Sequence, residues 1–293
     1  MIIFLIIHMI PGDPIVAMFG KSQNKELIES VRKAYALDQP IYKQYIIWVG
    51  NILHLNFGKS IISDLPVFNL VMERLNRTIV LALSGMFVSF IVSIPFGLIS
   101  AYKHNTFIDF SLTSFVLLLI SIPEFWVGVI LILFFSVFLG ILPSSGYVFP
   151  NQDFFGFIKI LILPVVCIGF AQVAISARMI RTTMIETLQE DYIRLVKAYG
   201  ISELRILSIH AFRNALIPVI TVVGAEFGYL LGGAVVIERV FNYPGLGSFM
   251  FDAIAHRDYP VIQGAILVFS LLFILVNLLV DVLYAFINPK IRY

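Results

Sequence analysis

Apolar residues in this chain gather into long runs rather than alternating. Thr78 to Ala101 holds no Asp, Glu, Lys or Arg. Phe110 to Gly140 is broken only by Pro123 and Glu124, and Ile160 to Ala177 is charge-free but short. Leu216 to Ile237 contains Glu226 alone, and Pro260 to Val280 contains no charge. A helix crossing about 30 Å of hydrocarbon needs about 20 apolar residues. The pattern therefore predicts spans at about 78–101, 110–140, 160–177, 216–237 and 260–280. Met1 to Ile10 is apolar apart from His8, yet ten residues rise only about 15 Å. It lacks the basic flank and small-residue cleavage site of a signal peptide. Residues 1–10 are expected to be part of a first transmembrane helix that begins upstream of Met1, ended by Pro11-Gly12-Asp13-Pro14.

Composition sharpens this by exclusion. The 293 residues are 59% hydrophobic and 13% charged, with mean hydropathy +0.95, whereas a soluble domain runs near 25% charged. A net charge of +2 gives no case for nucleic acid. The single cysteine, Cys167, lies inside an apolar run, which excludes disulfides and cysteine-ligated zinc. The fold class is an all-α polytopic membrane protein.

Lys and Arg in short loops set the orientation. With 178–215 inside, that side holds Lys103, Arg178, Arg181, Arg194, Lys197, Arg205, Arg213, Lys290 and Arg292, against Lys159, Arg239 and Arg257 opposite. A loop as long as 11–77 translocates largely regardless of charge. The C-terminus and 178–215 are thus expected in the cytoplasm and 11–77 outside. Within 11–77, Asn24 to Tyr35 and Pro40 to Leu55 read as helices, with Tyr42, Tyr45 and Trp48 suited to a membrane surface.

The 178–215 segment is patterned. Thr187 followed by Glu190 has the form of a capping box opening a helix. Tyr192, Leu195, Val196 and Tyr199 fall at i, i+3, i+4 and i+7, a helical apolar face. Gly200 is the left-handed stop, where a side chain costs about 1 kcal/mol. Ser202 can cap a second helix carrying Leu204, Leu207 and Ile209. Two short amphipathic helices meeting at a glycine suit either an interfacial pair in the headgroups or docking to a partner.

The wording of the segment favours the second. Asp191-Tyr192-Ile193-Arg194, Lys197-Ala198-Tyr199-Gly200-Ile201-Ser202 and His210-Ala211-Phe212-Arg213-Asn214-Ala215-Leu216-Ile217-Pro218 together resemble the EAA loop of binding-protein-dependent ABC importer permeases. The likeness continues in order along the chain. Pro11-Gly12-Asp13-Pro14, Leu37-Asp38-Gln39-Pro40, Asn56-Phe57-Gly58-Lys59-Ser60 and Ile122-Pro123-Glu124-Phe125-Trp126 are similar to the dipeptide, oligopeptide and nickel subfamily. So are Leu142-Pro143-Ser144-Ser145-Gly146, Gly232 to Glu238, Tyr243-Pro244-Gly245-Leu246-Gly247 and Arg257 to Gln263. The departure is the front, where family members carry a complete, basic-flanked first helix.

The resemblance implies a six-helix ABC importer (type I) permease fold, with 1–10 as part of its first helix, an extracytoplasmic helical segment at 11–77, and a transmembrane domain at 78–293 that carries the other five spans and the cytoplasmic coupling helices. It implies contact with an ATPase through Asp191, Arg194, Ala198, Gly200, Ser202, Arg213 and Pro218. The implied partners are a second related permease, two ABC ATPase subunits, a solute-binding protein and membrane lipid. Its expected place is the bacterial inner membrane. This chain would bind no cofactor or metal, ATP and Mg residing in the ATPases. No G-x-x-x-x-G-K-[ST] occurs, since Gly20-Lys21 and Gly58-Lys59 lack the preceding glycine. The expected cargo is di- or oligopeptides, with nickel or a metal chelate as the alternative.

Polar residues inside the spans are the pathway candidates. Ala82, Gly85, Ser89, Ser93, Gly97 and Ser100 share one face that admits close helix approach, as do Gly224, Gly228 and Gly232. Glu226 lies round the helix from those glycines, so it is expected to face a watery cavity or a partner, or to be protonated. Gln263, Ser270, Asn277 and Asp281 form one stripe, either a hydrogen-bond seam or a pathway lining. Glu124 either lines the pathway or stabilises the kink at Pro123. The rival of another class is an ion-driven secondary transporter relaying charge through Glu124, Glu226 and Asp281. An intramembrane enzyme lacks its catalytic set: no H-E-x-x-H or G-x-S-x-G occurs, and the five histidines (His8, His54, His104, His210, His256) sit in loops or near span ends.

Overall fold

Helices dominate because runs of Leu, Ile, Val and Phe in lipid must satisfy every backbone group within one segment. The computed structural model describes Phe4 and residues 38–287, apart from the side chains of residues 217, 218, 221–223, 225, 229, 231, 233 and 283–287. The expected helices at 1–10 and 24–35, and the C-terminal Lys290 and Arg292, lie outside the described residues. In order the elements are α1 (Ile41–Leu53), α2 (Val67–Tyr102), α3 (Phe107–Ser121), α4 (Glu124–Leu131), α5 (Phe154–Gln189), α6 (Asp191–Ala198), α7 (Glu203–Arg205), α8 (Phe212–Val240), α9 (Leu246–Ala255) and α10 (Tyr259–Ile287). Wider, π-helical turns at Ile132–Phe138 and Ile206–Ala211 extend α4 and lead into α8. Among the described residues there is no strand, only an isolated bridge between Lys59 and Pro66.

Among the described residues, three helices are long and apolar enough to cross a membrane: Val67–Tyr102, Phe154–Gln189 and Tyr259–Val282. The 110–140 stretch is not one straight span. It is a pair, Phe107–Ser121 and Glu124–Phe138, bent by 96°. The cause is local: Pro123 disfavours helical geometry at the residue before it, and Ile122 is extended at φ −94°, ψ 126°. Helices also outrun the apolar runs that announced them. Each of α2 and α5 has 36 residues, roughly 54 Å of rise. Residues 178–189, read from sequence as loop, are the continuation of α5. Its start is fixed by Asp153, whose carboxylate accepts from the Gly156 amide at 2.9 Å, an N-cap bond.

Two compact units divide the chain, 1–77 with 244–272 and 78–243 with 273–293. In the first, Val67 and Val71 pack with Leu246, Ala253, Val261, Ile262 and Ala265. Asp258 pins this unit: its carboxylate accepts from Ser60 Oγ at 2.5 Å and from the Ile61 amide at 3.2 Å. Arg74 and Arg77 both donate to the Pro244 carbonyl.

The second unit is built around α5, which packs on α3, α4 and α8. The small-residue face of α2 lies against it, as the spacing predicts. A Cβ on Gly169 would sit 2.9 Å from the Gly85 carbonyl, and one on Gly97 would sit 2.6 Å from Ile180 Cβ. Backbones this close are what glycine permits. Ser89 and Ser93 are fully buried in the same face. On α8, Gly224 and Gly228 receive Val280 and Phe273 of α10, whereas Gly232 faces open space.

Candidate functional site

The helix pair between α5 and α8 is a firmly seated structure with an unusual outer face. Glu190, at φ −64° and ψ 145°, breaks α5 from α6. No capping box forms there. Thr187 Oγ1 instead donates to the Thr183 carbonyl at 2.7 Å within α5, and Glu190 makes no side-chain cap bond. Gly200 adopts φ +76°, the left-handed stop the sequence predicts, and its amide donates to the Lys197 carbonyl at 2.9 Å. Ser202 occupies the N-cap position of α7 without a side-chain cap bond.

Inside, Ile193 of α6 and Ile206 after α7 are buried with Ala211, Ala215 and Val219, against Ala101 of α2 and Ile180 and Met184 of α5. The buried face of α6 is therefore Ile193 with Val196, whereas the sequence marks an apolar stripe of Tyr192, Leu195, Val196 and Tyr199. Of these, only Val196 turns inward. Leu195 is exposed, and Tyr199 is 78% and Leu204 80% exposed. Helical periodicity found an apolar stripe but could not tell which of two apolar faces the chain itself covers.

Three side-chain bonds fix the pair. Tyr192 Oη donates to the His210 carbonyl at 3.2 Å and accepts from Asn214 Nδ2 at 2.7 Å. Tyr102, the last residue of α2, donates to Glu203 Oε2 at 2.6 Å. These partners are 22 and 101 residues apart at most, so no short motif announced them.

The predicted contact residues stand on the outside of this seat. Asp191 and Arg194 form an exposed ion pair at 3.2 Å, a geometry worth about 0.3–0.5 kcal/mol at most. They are thus available to another charged surface at small cost. Ala198, Gly200, Ser202 and Arg213 are all exposed. Pro218 lies in α8, and its side chain is outside the described residues.

The span candidates do not assemble into one constellation. Glu124 and Glu226 are half-buried, Asn277 is half-buried and Asp281 is exposed. Asn277 Nδ2 donates to the Phe273 carbonyl of its own helix at 3.0 Å, and Ser270 likewise to Ile266. Among the described residues no hydrogen bond or ion pair joins Glu124, Glu226, Asn277 and Asp281, and no three His, Cys, Asp or Glu come together to hold a metal. Glu124 opens α4 at the kink; its carbonyl accepts from Cys167 Sγ at 3.2 Å. Gly128, one turn on, packs against Val240, Cys167 and Phe241.

Residues 93–293 match the family described as the binding-protein-dependent transport system inner membrane component, and residues 1–82 match its N-terminal companion. A putative peptide transport system permease protein of Brucella abortus is 41% identical over 290 residues, covering 99% of this chain and 92% of that protein. The glutathione transport system permease protein GsiC of Escherichia coli is 42% identical over 292 residues, covering all of this chain and 93% of that protein. Among solved structures, the MetNI methionine ABC transporter in an inward-facing conformation aligns with TM-score 0.61 at 18% identity, over 75% of this chain and 96% of that chain. That likeness carries the fold, a type I ABC importer permease.

Proposed function

The chain belongs to the binding-protein-dependent transport system inner membrane component family, a multi-pass inner membrane protein, and on that premise we propose how it works and what it carries. It is the permease subunit of an ATP-driven importer, supplying half of a translocation pathway whose other half is a second, related permease. Two ATPase subunits bind ATP and Mg and dock on α6, Gly200 and α7; a solute-binding protein delivers cargo to the opposite face. The helix pair and the C-terminus are cytoplasmic, in keeping with nine Lys and Arg on that side against three and the positive-inside rule. ATPase closure moves the pair, and the spans open alternately to each side.

The observation that carries the docking step is the exposed apolar surface of Leu195, Tyr199 and Leu204 beside the buried Ile193 and Ile206. An exposed apolar patch rimmed by charge suits a contact with protein or membrane, and membership of a permease family favours the protein. The cargo is a di- or oligopeptide, on the strength of relatives named for peptide and glutathione transport along nearly their whole length.

Reconstitution of the complete complex in proteoliposomes tests this. Labelled di- and tripeptides are expected to enter only with ATP inside the compartment of the ATPases. Uptake that ignores ATP but collapses with the proton gradient would replace this reading with an ion-driven carrier, and ATP-driven uptake of Ni2+ without peptide would change the cargo.

A further inference from the structure

One buried carboxylate ties together the three helices beside the helix pair. Asp109, in the first turn of α3, is 4% exposed, yet donors converge on both its oxygens. Oδ1 accepts from Ser100 Oγ of α2, from Arg181 Nε of α5 at 2.7 Å and from Thr113 Oγ1 at 3.3 Å. Oδ2 accepts from Arg181 Nη2 at 2.8 Å and from the Asn105 amide at 3.1 Å. His104 Nδ1 lies 3.2 Å from both Asp109 Oδ2 and Arg181 Nη2. The two-pronged approach of Arg181 fixes angle as well as distance.

The position of this node matters as much as its chemistry. Ser100 precedes Ala101 on α2, and Arg181 follows Ile180 on α5. Ala101 and Ile180 are the very residues on which Ile193 and Ile206 of the helix pair are packed. A push on the pair therefore reaches α2 and α5 next to the node. The node adds a charged clamp at the end of α5 to the apolar packing of Val116 and Leu119 of α3 on Val173, Ala174 and Ala177 of α5. Replacing a buried ion pair by well-packed apolar residues is often neutral for stability, so what such a pair supplies is geometry.

We infer that Asp109 and Arg181 are positioning residues for energy coupling: they make α2, α3 and α5 move as one body when the helix pair is displaced. This rests on the reading that ATPases dock on the pair. Neither residue touches cargo or nucleotide in this scheme.

The test uses the complete reconstituted complex and reads peptides imported per ATP hydrolysed, alongside assembly and the KM for peptide. Asp109→Leu combined with Arg181→Met is expected to assemble and to hydrolyse ATP with an unaltered KM, while import per ATP falls about tenfold, the scale of losing one member of a coupling network. Arg181→Lys, which keeps the charge but loses the fork, should fall in the same direction. Import per ATP within about twofold of wild type in these variants overturns the inference, since that is smaller than a coupling defect. So does failure of both to assemble, which would make the node a fold requirement only. Absence of ATP-driven import in the wild-type complex would instead remove the functional reading beneath it.

Discussion

Replacing Gly200 with valine separates the shape of the helix pair from its presence. Gly200 sits at φ +76°, and a Cβ there would meet nothing within 4 Å. The cost is thus purely backbone: about 1–2 kcal/mol for an L-residue in the left-handed region, at the upper end for a β-branched side chain. Against a total stability of about 5–15 kcal/mol, the chain should still fold and insert. The same 1–2 kcal/mol shifts the turn against competing backbone states by about 5–30-fold. Because the side chain would project into open space, it also stands where an ATPase surface would approach. Purified Gly200→Val complex should retain its subunits while peptide-stimulated ATP hydrolysis is lost, with Gly200→Ala intermediate. Stimulation equal to wild type in the valine variant would refute the reasoning that this bend couples the pair to its motor.

Three other substitutions probe separate layers. Ile193→Ala removes a fully buried side chain and should destabilise by about 2–5 kcal/mol in a thermal melt, whereas the exposed Tyr199→Ala should stay within about 0.5 kcal/mol yet weaken ATPase retention in a pull-down; the reverse order would invert the two faces of α6. Gly97→Val drives a side chain against Ile180 and the Ala177 carbonyl, overpacking worth about 1–3 kcal/mol or more, and an unshifted melt would mean α2 and α5 do not touch there. Glu226→Leu should alter uptake kinetics with assembly preserved; unchanged kinetics would remove Glu226 from the pathway.

Sequence pattern located the helices because lipid imposes a length and forbids unpaired backbone. It also located Gly200, since a left-handed stop has a residue preference strong enough to read. It misjudged what lies between. Pro123 was visible as a break, but the angle it opens at Ile122, 96° between the two helices, is not written in the residue types. On α6 the sequence carries apolar residues on both faces, one for Ile180 and Met184 and one left outside, and periodicity marked the stripe of Tyr192, Leu195 and Tyr199 without telling whether this chain covers it. The polar nodes were invisible for a simpler reason. Asp109 with Arg181, Thr78 with Glu238, and Ser60 with Asp258 are 72, 160 and 198 residues apart. Each member read singly as an ordinary loop or span-end residue.

Site-directed cross-linking tests the account most directly. Cys167, the chain's single cysteine, is buried, so cysteines introduced as Tyr199→Cys or Leu204→Cys provide accessible labels. Across a short bifunctional reagent in native membranes, they should trap a covalent adduct with an ATPase subunit, strengthened or weakened by ATP. Labelling confined to lipid probes, with no ATPase adduct at either position under any nucleotide condition, would contradict the claim that this surface receives the motor.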